Sequence, residues 1–527
     1  MRRLRHHLAP SGGGLLPLRP HASDGRPDAA GDSAAGVAGV MNDVSPRIAG
    51  ARAEGKTDDG VPRIGVLPPP PPSVSAAAPS PAAGRHVRAA LLLVEPAFCA
   101  LALFVMSGGL SRAFDGAAAD GGGDAAGDPI TRTLLLAIYL TAALVSVTHL
   151  RSVLRAARRA WLAWALVAMA AASVLWSAAP RVTLQRSVAL GAATLFGVYV
   201  AARFDRRTQL RVFGWALGIA AALSLATALL VPDAGVTAGY HEGAWRGIYG
   251  NKNMLGRLCA LGTTIHLLRA QAAHRRPWGA WAGAALCGVL TLLSRSATAV
   301  VVLATLVLLL PLYRTLRWRP SLRLVLLTFA VLAAGALAVL FATESDSMLS
   351  LVGRDATLSG RTKLWKVVLW FIEQRPRLGY GYGAFWSSGS ATAAAVVNAI
   401  RWNAPHAHDN FLDVALDLGL AGLALFVFGI LAAARRAVAA YRASADPAEL
   451  WPLLLLTFLV LFSITDTIVL RQNHLVWVLY VATIALPTPT AAGLPLRPRA
   501  GRHAVSIGVR VRHARHALIP DRAPSRS

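Results

Sequence analysis

The feature that most constrains the fold is a series of apolar stretches, which begins near residue 89 and continues to residue 487. About 20 apolar residues in a helix cross the hydrocarbon layer of a membrane, so the shorter stretches would have to extend into their flanking loops. The stretches lie near residues 89–110, 131–148, 161–177, 187–202, 212–231, 253–270, 278–294, 297–313, 322–342, 411–434, 451–470 and 474–487. We therefore predict an all-α polytopic membrane protein with about twelve transmembrane helices.

Composition excludes an ordinary soluble domain, because 55% of the residues are hydrophobic and only 15% are charged. The formal net charge is +27, which in a soluble protein would suggest a nucleic-acid partner. Here the arginines form short clusters between apolar stretches, so the expected partner is the lipid bilayer and not nucleic acid. The three cysteines lie inside apolar stretches without metal-ligand spacing, so neither disulfides nor structural zinc are indicated.

The distribution of arginine predicts the orientation of the chain. Alternate loops hold 18 arginines against three acidic residues; these loops are 149–160, 203–211, 269–277, 314–323 and 435–450. By contrast, the loop 111–130 carries four aspartates and one arginine. Because positive loops stay in the cytoplasm, we predict a bacterial inner-membrane protein with cytoplasmic N- and C-termini.

Composition also divides the chain into regions. Residues 1–85 are rich in Pro, Gly and Ala, and we predict that they are disordered. The transmembrane domain is predicted over 86–487, followed by a basic cytoplasmic tail at 488–527. Within the domain, 343–410 is a large periplasmic loop, and a loop of that size usually carries function. Its apolar segment at 364–372 is too short to span, which predicts a helix at the membrane interface.

Several cations lie on the side that topology disfavours, and they predict a shared site for an anion. They are Arg181, Arg186, Arg246, Lys252, Arg295 and Arg361. The guanidinium group of arginine binds phosphate through two parallel hydrogen bonds and stays charged at any physiological pH. Contact with lipid headgroups is the alternative explanation for any one of these residues alone.

A pair of histidines, His406 and His408, directly precedes an apolar helix on the same predicted face. A histidine at the water boundary can accept a proton near neutral pH. Alternatively, both side chains are solvated residues of a loop. A metal site is not predicted, because the pair supplies two ligands and Asp409 would be a third only with unusual backbone geometry.

These motifs resemble the bacterial O-antigen ligases and the related O-antigen and exopolysaccharide polymerases. The family pattern is a histidine, a small polar residue, nine variable residues and Gly-x-x-Gly, matched here by His408, Asp409, 410–418, Gly419 and Gly422. Asp409 stands where the family usually has Asn, Ser or Gln. Further agreement comes from residues 246–253, 358–365 and 378–386, which are most similar to the exopolysaccharide polymerase branch.

The resemblance implies a GT-C-like fold and a glycosyltransferase that inverts the anomeric centre without metal or cofactor. Its donor would be an undecaprenyl-diphosphate-linked oligosaccharide, its acceptor a glycan hydroxyl, and its further partners a flippase and a chain-length regulator. His408 would act as the base and Arg361 would stabilise the leaving diphosphate. The diphosphate-binding residues would be Arg186, Arg246 and Arg361, and the supporting residues Asp409, Lys252 and Asn253. Gly419 and Gly422 are expected to serve helix packing.

Two alternatives remain open from the sequence. An O-antigen ligase would transfer the glycan to the lipid A core instead of to another repeat unit. A membrane transporter would instead use ionisable residues within the spans. The residues that a transporter would need are Arg257, His266, Asp413 and Asp417.

Overall fold

Three polar side chains mark where long helices begin. The carboxylate of Asp205 accepts a hydrogen bond from the amide of Thr208 at 3.1 Å, and Asn251 and Asp409 cap their helices in the same way. The first amides of a helix have no partner within the helix, so a side-chain acceptor at the cap stabilises it. Asp409, the residue that departs from the family pattern, therefore serves as a helix cap.

The computed structural model describes residues 81–110, 129–238, 242–273, 277–315, 322–348 and 360–487. Within these ranges the chain is helical, with one isolated β-bridge between Val236 and Trp245. The helices are α1 (Pro81–Met106), α2 (Pro129–Thr148), α3 (Leu150–Arg159), α4 (Trp161–Ala172), α5 (Pro180–Arg203), α6 (Arg206–Leu230), α7 (Lys252–Ala272), α8 (Trp278–Leu293), α9 (Ala297–Thr315), α10 (Leu322–Met348), α11 (Gly360–Gln374), α12 (Ala391–Ile400), α13 (Asn410–Ala443), α14 (Trp451–Ser463) and α15 (Leu475–Ile484). A single helical turn at Pro232–Gly235 and 3₁₀ turns at Ser173–Leu175 and Pro447–Leu450 complete them.

Five of the described helices are long and apolar enough to cross a membrane: α2, α5, α6, α9 and α13. A sixth span is possible if α3 and the segment Trp161–Leu175, which are bent by 83°, act as one. Shorter apolar helices occupy further predicted stretches, among them α8, α14 and α15. The prediction of an all-α, multi-pass membrane protein is confirmed, while the count of twelve spans stays a prediction.

Several predicted boundaries differ from the helix ends in the structure. Helix α1 begins at Pro81, ahead of the predicted domain start at 86, and residues 1–80 and 488–527 lie outside the described residues, so the division into domains stays a prediction. The segment 149–160 contains helix α3 and is not simply a loop. Helix α14 ends at Ser463, so the second half of the predicted stretch 451–470 is not part of that helix.

Helices α14 and α15 lie at the centre of the bundle. Their residues are almost all buried, and Trp477 donates a hydrogen bond to Thr194 on α5 at 2.9 Å. Gly197 of α5 brings the two backbones together, because a Cβ there would lie 2.8 Å from Val481. In contrast, α2 exposes Leu140 and Leu144 at 61% and 72%. A helix that is apolar on all sides fits the centre, and an exposed leucine face fits lipid.

Hydrogen bonds join loops that arginine content predicts to share the cytoplasmic side. Arg207 pairs with Asp446 at 2.5 Å, and Arg436 donates to the carbonyl oxygen of Arg159 at 3.0 Å. Arg314 likewise bonds to Gln271. The members of this set therefore meet at common ends of the helices.

Candidate active site

The two histidines lie together on the loop that enters α13. Their ring centroids are 4.1 Å apart, and the backbone amide of His408 donates to Nδ1 of His406 at 3.1 Å. His406 is buried, while His408 is half-buried beside the ring of Trp402, with centroids 5.8 Å apart. The local turn thus places His408 nearer to solvent than its neighbour.

A carboxylate from a distant part of the chain faces the histidines. Asp466 lies in the non-helical segment after α14, and its Oδ1 is 3.6 Å from Nε2 of His406. The other oxygen of Asp466 pairs with the guanidinium group of Arg257 on α7. Asp466 is therefore fixed between a cation and an imidazole, and it supplies negative charge where a protonated histidine would form.

A second carboxylate, Asp413, holds the histidine loop against α13. It accepts hydrogen bonds from the backbone amide of Ala407 at 3.1 Å and from the indole of Trp386 at 2.7 Å. The hydroxyl of Thr467 also donates to Asp413. These bonds join the histidine loop, the segment 378–386 and the segment after α14 into one network.

The glycine-rich segment 378–386 packs against α13 where this helix breaks. Gly419 has φ of 67° and ψ of −172°, which are not helical values. A Cβ on Gly419 would lie 2.2 Å from the carbonyl oxygen of Arg377, and the amide of Tyr380 donates to the carbonyl of Leu416 at 2.8 Å. The expectation of simple helix packing at Gly419 is wrong, since this glycine breaks the helix and admits a loop.

Burial sets the charge states of the site. It lowers the pKa of His408 to about 4, with Asp466 opposing and Arg361 adding to that shift. Burial likewise lowers the pKa of His406, so both imidazoles are neutral at pH 7 and available as proton acceptors. Burial opposes charge on Asp466, yet Arg257 and the histidines lower its pKa and keep it ionised. Burial raises the pKa of the Asp409 carboxyl to about 6.

His406, His408 and Asp466 could also supply three metal ligands, since one ligand atom from each lies within 4.8 Å of the others. In the sequence, Asp409 was the candidate for a third ligand, but its carboxylate caps α13. Arg257 already occupies one oxygen of Asp466, and the charge of Arg361 acts on His408. The positive surroundings favour an anion over a divalent cation. Metal independence of the reaction stays a prediction.

Comparisons with known proteins show which proteins this chain is similar to. Residues 280–427 match the family described as O-antigen ligase. An exopolysaccharide production protein, ExoQ of Rhizobium meliloti (strain 1021), is 29% identical in an alignment of 287 residues that covers 51% of this chain and 63% of the relative. The resemblance to the O-antigen ligase and exopolysaccharide polymerase family is confirmed. The match spans less than two thirds of that relative, so its activity is not transferred as a whole.

The O-antigen ligase match contains Arg361 and the complete motif from His408 to Gly422. Arg361 is the predicted arginine whose charge reaches His408, and it donates to the carbonyl of Thr465 at 3.4 Å, next to Asp466. The structure therefore brings Arg361 and His408 together, while their predicted catalytic roles stay predictions.

Arg186 joins the site through the glycine-rich segment. It donates to the carbonyl oxygen of Gly383 at 2.6 Å, and its charge reaches Asp417 of α13. One carboxylate oxygen of Asp417 is buried without a hydrogen-bond partner among the described residues. Arg186 thus binds the segment that carries Trp386, and its charge acts on Asp417.

The other predicted residues have different contacts. Arg246 donates to the carbonyl oxygens of Asp233 and Ala234 at 3.0 and 3.1 Å, and Lys252 approaches the carbonyl of Arg295 at 3.5 Å. The side chain of Asn253 is exposed at the start of α7. None of these hydrogen bonds involves the histidines, so the roles of these residues stay predictions.

Sequence reasoning missed Asp466 and Thr467 and placed Arg257, Asp413 and Asp417 with the transporter alternative. The structure instead places Arg257 and Asp413 beside the histidines. A signal for Asp466 existed, because it is the single acidic residue in the apolar stretch 451–470. Such a residue is costly in a membrane protein and marks function.

Proposed function

We propose that this protein is a membrane glycosyltransferase that transfers a glycan from an undecaprenyl-diphosphate-linked donor to a sugar hydroxyl in exopolysaccharide or O-antigen polymerisation. Two lines support the proposal. The family match covers the histidine motif, and the relative from Rhizobium meliloti is described as an exopolysaccharide production protein.

The observation that carries the proposal is the cluster of His408, Asp466 and Arg361. A neutral imidazole, a carboxylate that can stabilise its protonated form, and a guanidinium group lie in one place. A direct displacement that releases diphosphate needs a base for the attacking hydroxyl and positive charge for the leaving group. The cluster offers both.

In the proposed step, the acceptor hydroxyl loses its proton to the imidazole of His408 while its oxygen attacks the anomeric carbon. The bond from that carbon to the diphosphate oxygen breaks, and its electron pair leaves with the diphosphate. One displacement inverts the anomeric centre. Chemically, no metal is required because arginines neutralise the leaving group.

The bound donor would strengthen the base. Without substrate, burial and Arg361 hold the pKa of His408 at about 4. A diphosphate next to Arg361 adds negative charge, which favours the imidazolium form and raises the pKa of His408 toward neutrality. The base therefore becomes effective when the leaving group is in place.

The arginines have different proposed roles in binding the diphosphate. Arg361 is the proposed primary diphosphate ligand, and Arg186 and Arg246 are the further proposed ligands. Asp409 supports the site as the cap of α13. Lys252 and Asn253 are proposed supporting residues at the start of α7, the helix that carries Arg257.

The topology of the proposal is that of an inner-membrane enzyme with twelve spans and cytoplasmic termini. The candidate site then faces the periplasm, with 343–410 as its large loop. Hydrogen bonds among the arginine-rich loops support this arrangement, since they place the predicted cytoplasmic segments together.

A second candidate function is ligation to the lipid A core, because the matching family is described as O-antigen ligase. Both functions use the same donor chemistry and differ in the acceptor. The test is to supply purified protein in lipid nanodiscs with lipid-linked repeat units, alone or together with lipid A core. Polymerase activity gives longer lipid-linked chains from donor alone. A ligase gives product only when the core acceptor is present.

The same assay tests the proposed chemistry. Transfer should occur after metal chelation and should release undecaprenyl diphosphate. Absence of transfer with every donor and acceptor pair, together with normal folding of the protein, would contradict the enzyme proposal.

A further inference from the structure

A second arginine cluster lines a cavity near the end of α7, away from the candidate active site. The cavity has a volume of about 520 Å³ and is lined by residues of α6, α7, α8 and their connections. At 1.5 Å per residue, the cavity-lining Arg269 lies roughly 18 Å along α7 from Arg257. The charged lining residues are Asp205, Arg207, Arg211 and Arg269.

Two of these arginines lack a carboxylate partner among the described residues. Arg207 pairs with Asp446, and Asp205 caps α6 through the amide of Thr208. Arg211 donates to the hydroxyl of Thr208 at 2.8 Å, and Arg269 bonds to Nδ1 of His266 at 3.0 Å. Arg211 and Arg269 are close enough for their charges to repel. The cost of keeping two like charges together is offset when an anion binds between them.

Glycines make room for this arrangement, which shows that Arg269 is built into the bundle. A Cβ on Gly214 of α6 would lie 2.5 Å from the guanidinium group of Arg269. A Cβ on Gly283 of α8 would lie 2.5 Å from the ring of His266. His266 accepts the hydrogen bond from Arg269 at Nδ1, so the neutral ring holds the guanidinium in a fixed orientation. A side chain that merely extended along the helix toward water would not need this space.

We propose that this cavity binds a phosphate group, held by Arg211 and Arg269. Arginine recognises phosphate through parallel, charge-assisted hydrogen bonds, and the volume lies within the range of small-molecule sites. The phosphate group can belong to an anionic lipid headgroup or to a free phosphate compound. Neither source belongs to the transfer reaction proposed above, so this site stands or falls independently of it.

The test uses the full-length protein in nanodiscs of phosphatidylcholine, with the thermal unfolding midpoint followed by tryptophan fluorescence. One arm adds inorganic phosphate against sodium chloride at equal ionic strength. The other arm replaces part of the phosphatidylcholine with phosphatidylglycerol. A ligand that binds the folded state raises the midpoint by mass action. The variants are Arg211→Gln and Arg269→Gln, and the control is Arg155→Gln, which changes an exposed arginine of α3.

A rise with inorganic phosphate that both variants lose and the control keeps supports the site and identifies free phosphate as a sufficient ligand. A rise with phosphatidylglycerol alone, with the same dependence on the variants, supports the site and assigns it to a lipid headgroup. The proposal would be overturned if neither inorganic phosphate nor phosphatidylglycerol raised the midpoint above that in sodium chloride or in pure phosphatidylcholine. It would also be overturned if Arg155→Gln lost the rise in midpoint as fully as the two cavity variants. Because Arg211 is exposed, its variant tests binding even if Arg269→Gln folds poorly.

Discussion

His408 has a backbone φ of 52°, a left-handed conformation that residues other than glycine rarely adopt. The conformation is held by the bond from its amide to His406 and by the bonds of Ala407 to Asp413. Strained backbone of this kind persists where surrounding contacts fix it, and it often occurs at functional sites. Here it turns the imidazole toward Asp466 and Arg361.

The base assignment is tested best by His408→Asn, because asparagine tolerates the left-handed conformation but cannot accept the proton. We expect kcat to fall by roughly 10²- to 10⁴-fold, the range for loss of general-base catalysis. Retention of lipid-linked donor by the purified variant should stay near that of the wild type. The control is His149→Asn, far from the site in sequence. Normal turnover in His408→Asn would mean that another residue acts as the base.

Arg361→Lys tests the geometry of diphosphate recognition. The substitution keeps the charge but loses the planar fork that binds two phosphate oxygens. We expect kcat/KM to fall by roughly 10- to 150-fold, since a hydrogen bond to a charged group contributes about 1.5–3 kcal/mol. Arg377→Lys is the matched control, because Arg377 is exposed. Equal activity of the two variants would mean that Arg361 does not bind the diphosphate.

The pH dependence of kcat/KM reports the pKa of the base in the free enzyme. His408 must be neutral to act, and its pKa is lowered to about 4. Activity should therefore fall only as the pH drops well below the ordinary value of about 6.5 for histidine. Asp466→Asn removes a negative charge that raises this pKa, so the acid limb should move to still lower pH while turnover at neutral pH decreases.

Asp409→Asn is the control for this profile. Burial raises the pKa of Asp409 to about 6, and asparagine preserves the helix cap. Because the carboxyl of Asp409 is a cap and not the base, the variant should retain the wild-type profile. An acid limb near pH 6 that disappears in Asp409→Asn would assign the essential ionisation to the cap instead.

At the scale of elements, the site depends on the break in α13. Gly379 and Gly419 pack backbone against backbone: a Cβ on Gly379 would lie 2.4 Å from the carbonyl oxygen of Leu416. This close approach lets Trp386 reach Asp413, which in turn holds the histidine loop. The spacing of the family motif, from His408 to Gly419, is thus the length of helix between the loop and the break.

Gly419→Ala should disrupt this junction. The new Cβ would clash with the carbonyl of Arg377, and alanine at φ of 67° is strained by about 1–3 kcal/mol. We expect a lower unfolding midpoint in detergent and loss of most transfer activity. Gly288→Ala is the control, since its Cβ would have 3.9 Å to the nearest atom outside its helix. Equal stability of the two variants would mean that the break is not required.

At the scale of the whole molecule, orientation can be tested by labelling single cysteines. The native cysteines Cys99, Cys259 and Cys287 are buried, so they give little background. An impermeant maleimide should label Ser388→Cys in intact cells whose outer membrane is permeabilised. Arg442→Cys should react only after the inner membrane is opened, because it lies in the last turn of α13, within the arginine-rich segment 435–450. The reverse pattern would invert the proposed topology.

The sequence by itself determined that the chain is a multi-pass membrane protein that resembles this family. The length of the apolar stretches and the placement of the arginines are visible directly in the sequence. Few folds other than helices can cross lipid, so these two features are enough to predict the class of protein. The motif from His408 to Gly422 is also local, since its residues lie on one loop and one helix. Its partner Arg361 could be predicted only as a member of a set of external cations.

Tertiary structure decided which of the charged residues meet. Asp466 lies 58 positions after His408 in the chain, and Arg257 lies on α7, so no spacing rule joins them to the histidines. Tertiary structure also decided the contacts of Arg246, whose guanidinium group donates to the carbonyls of Asp233 and Ala234 and not to the histidine loop. Where charges lie within the bundle depends on how the helices pack, on the break in α13 at Gly419 and on the end of α14 at Ser463. The break at Gly419 is set by its contact with the distant segment at Arg377 and not by local hydropathy.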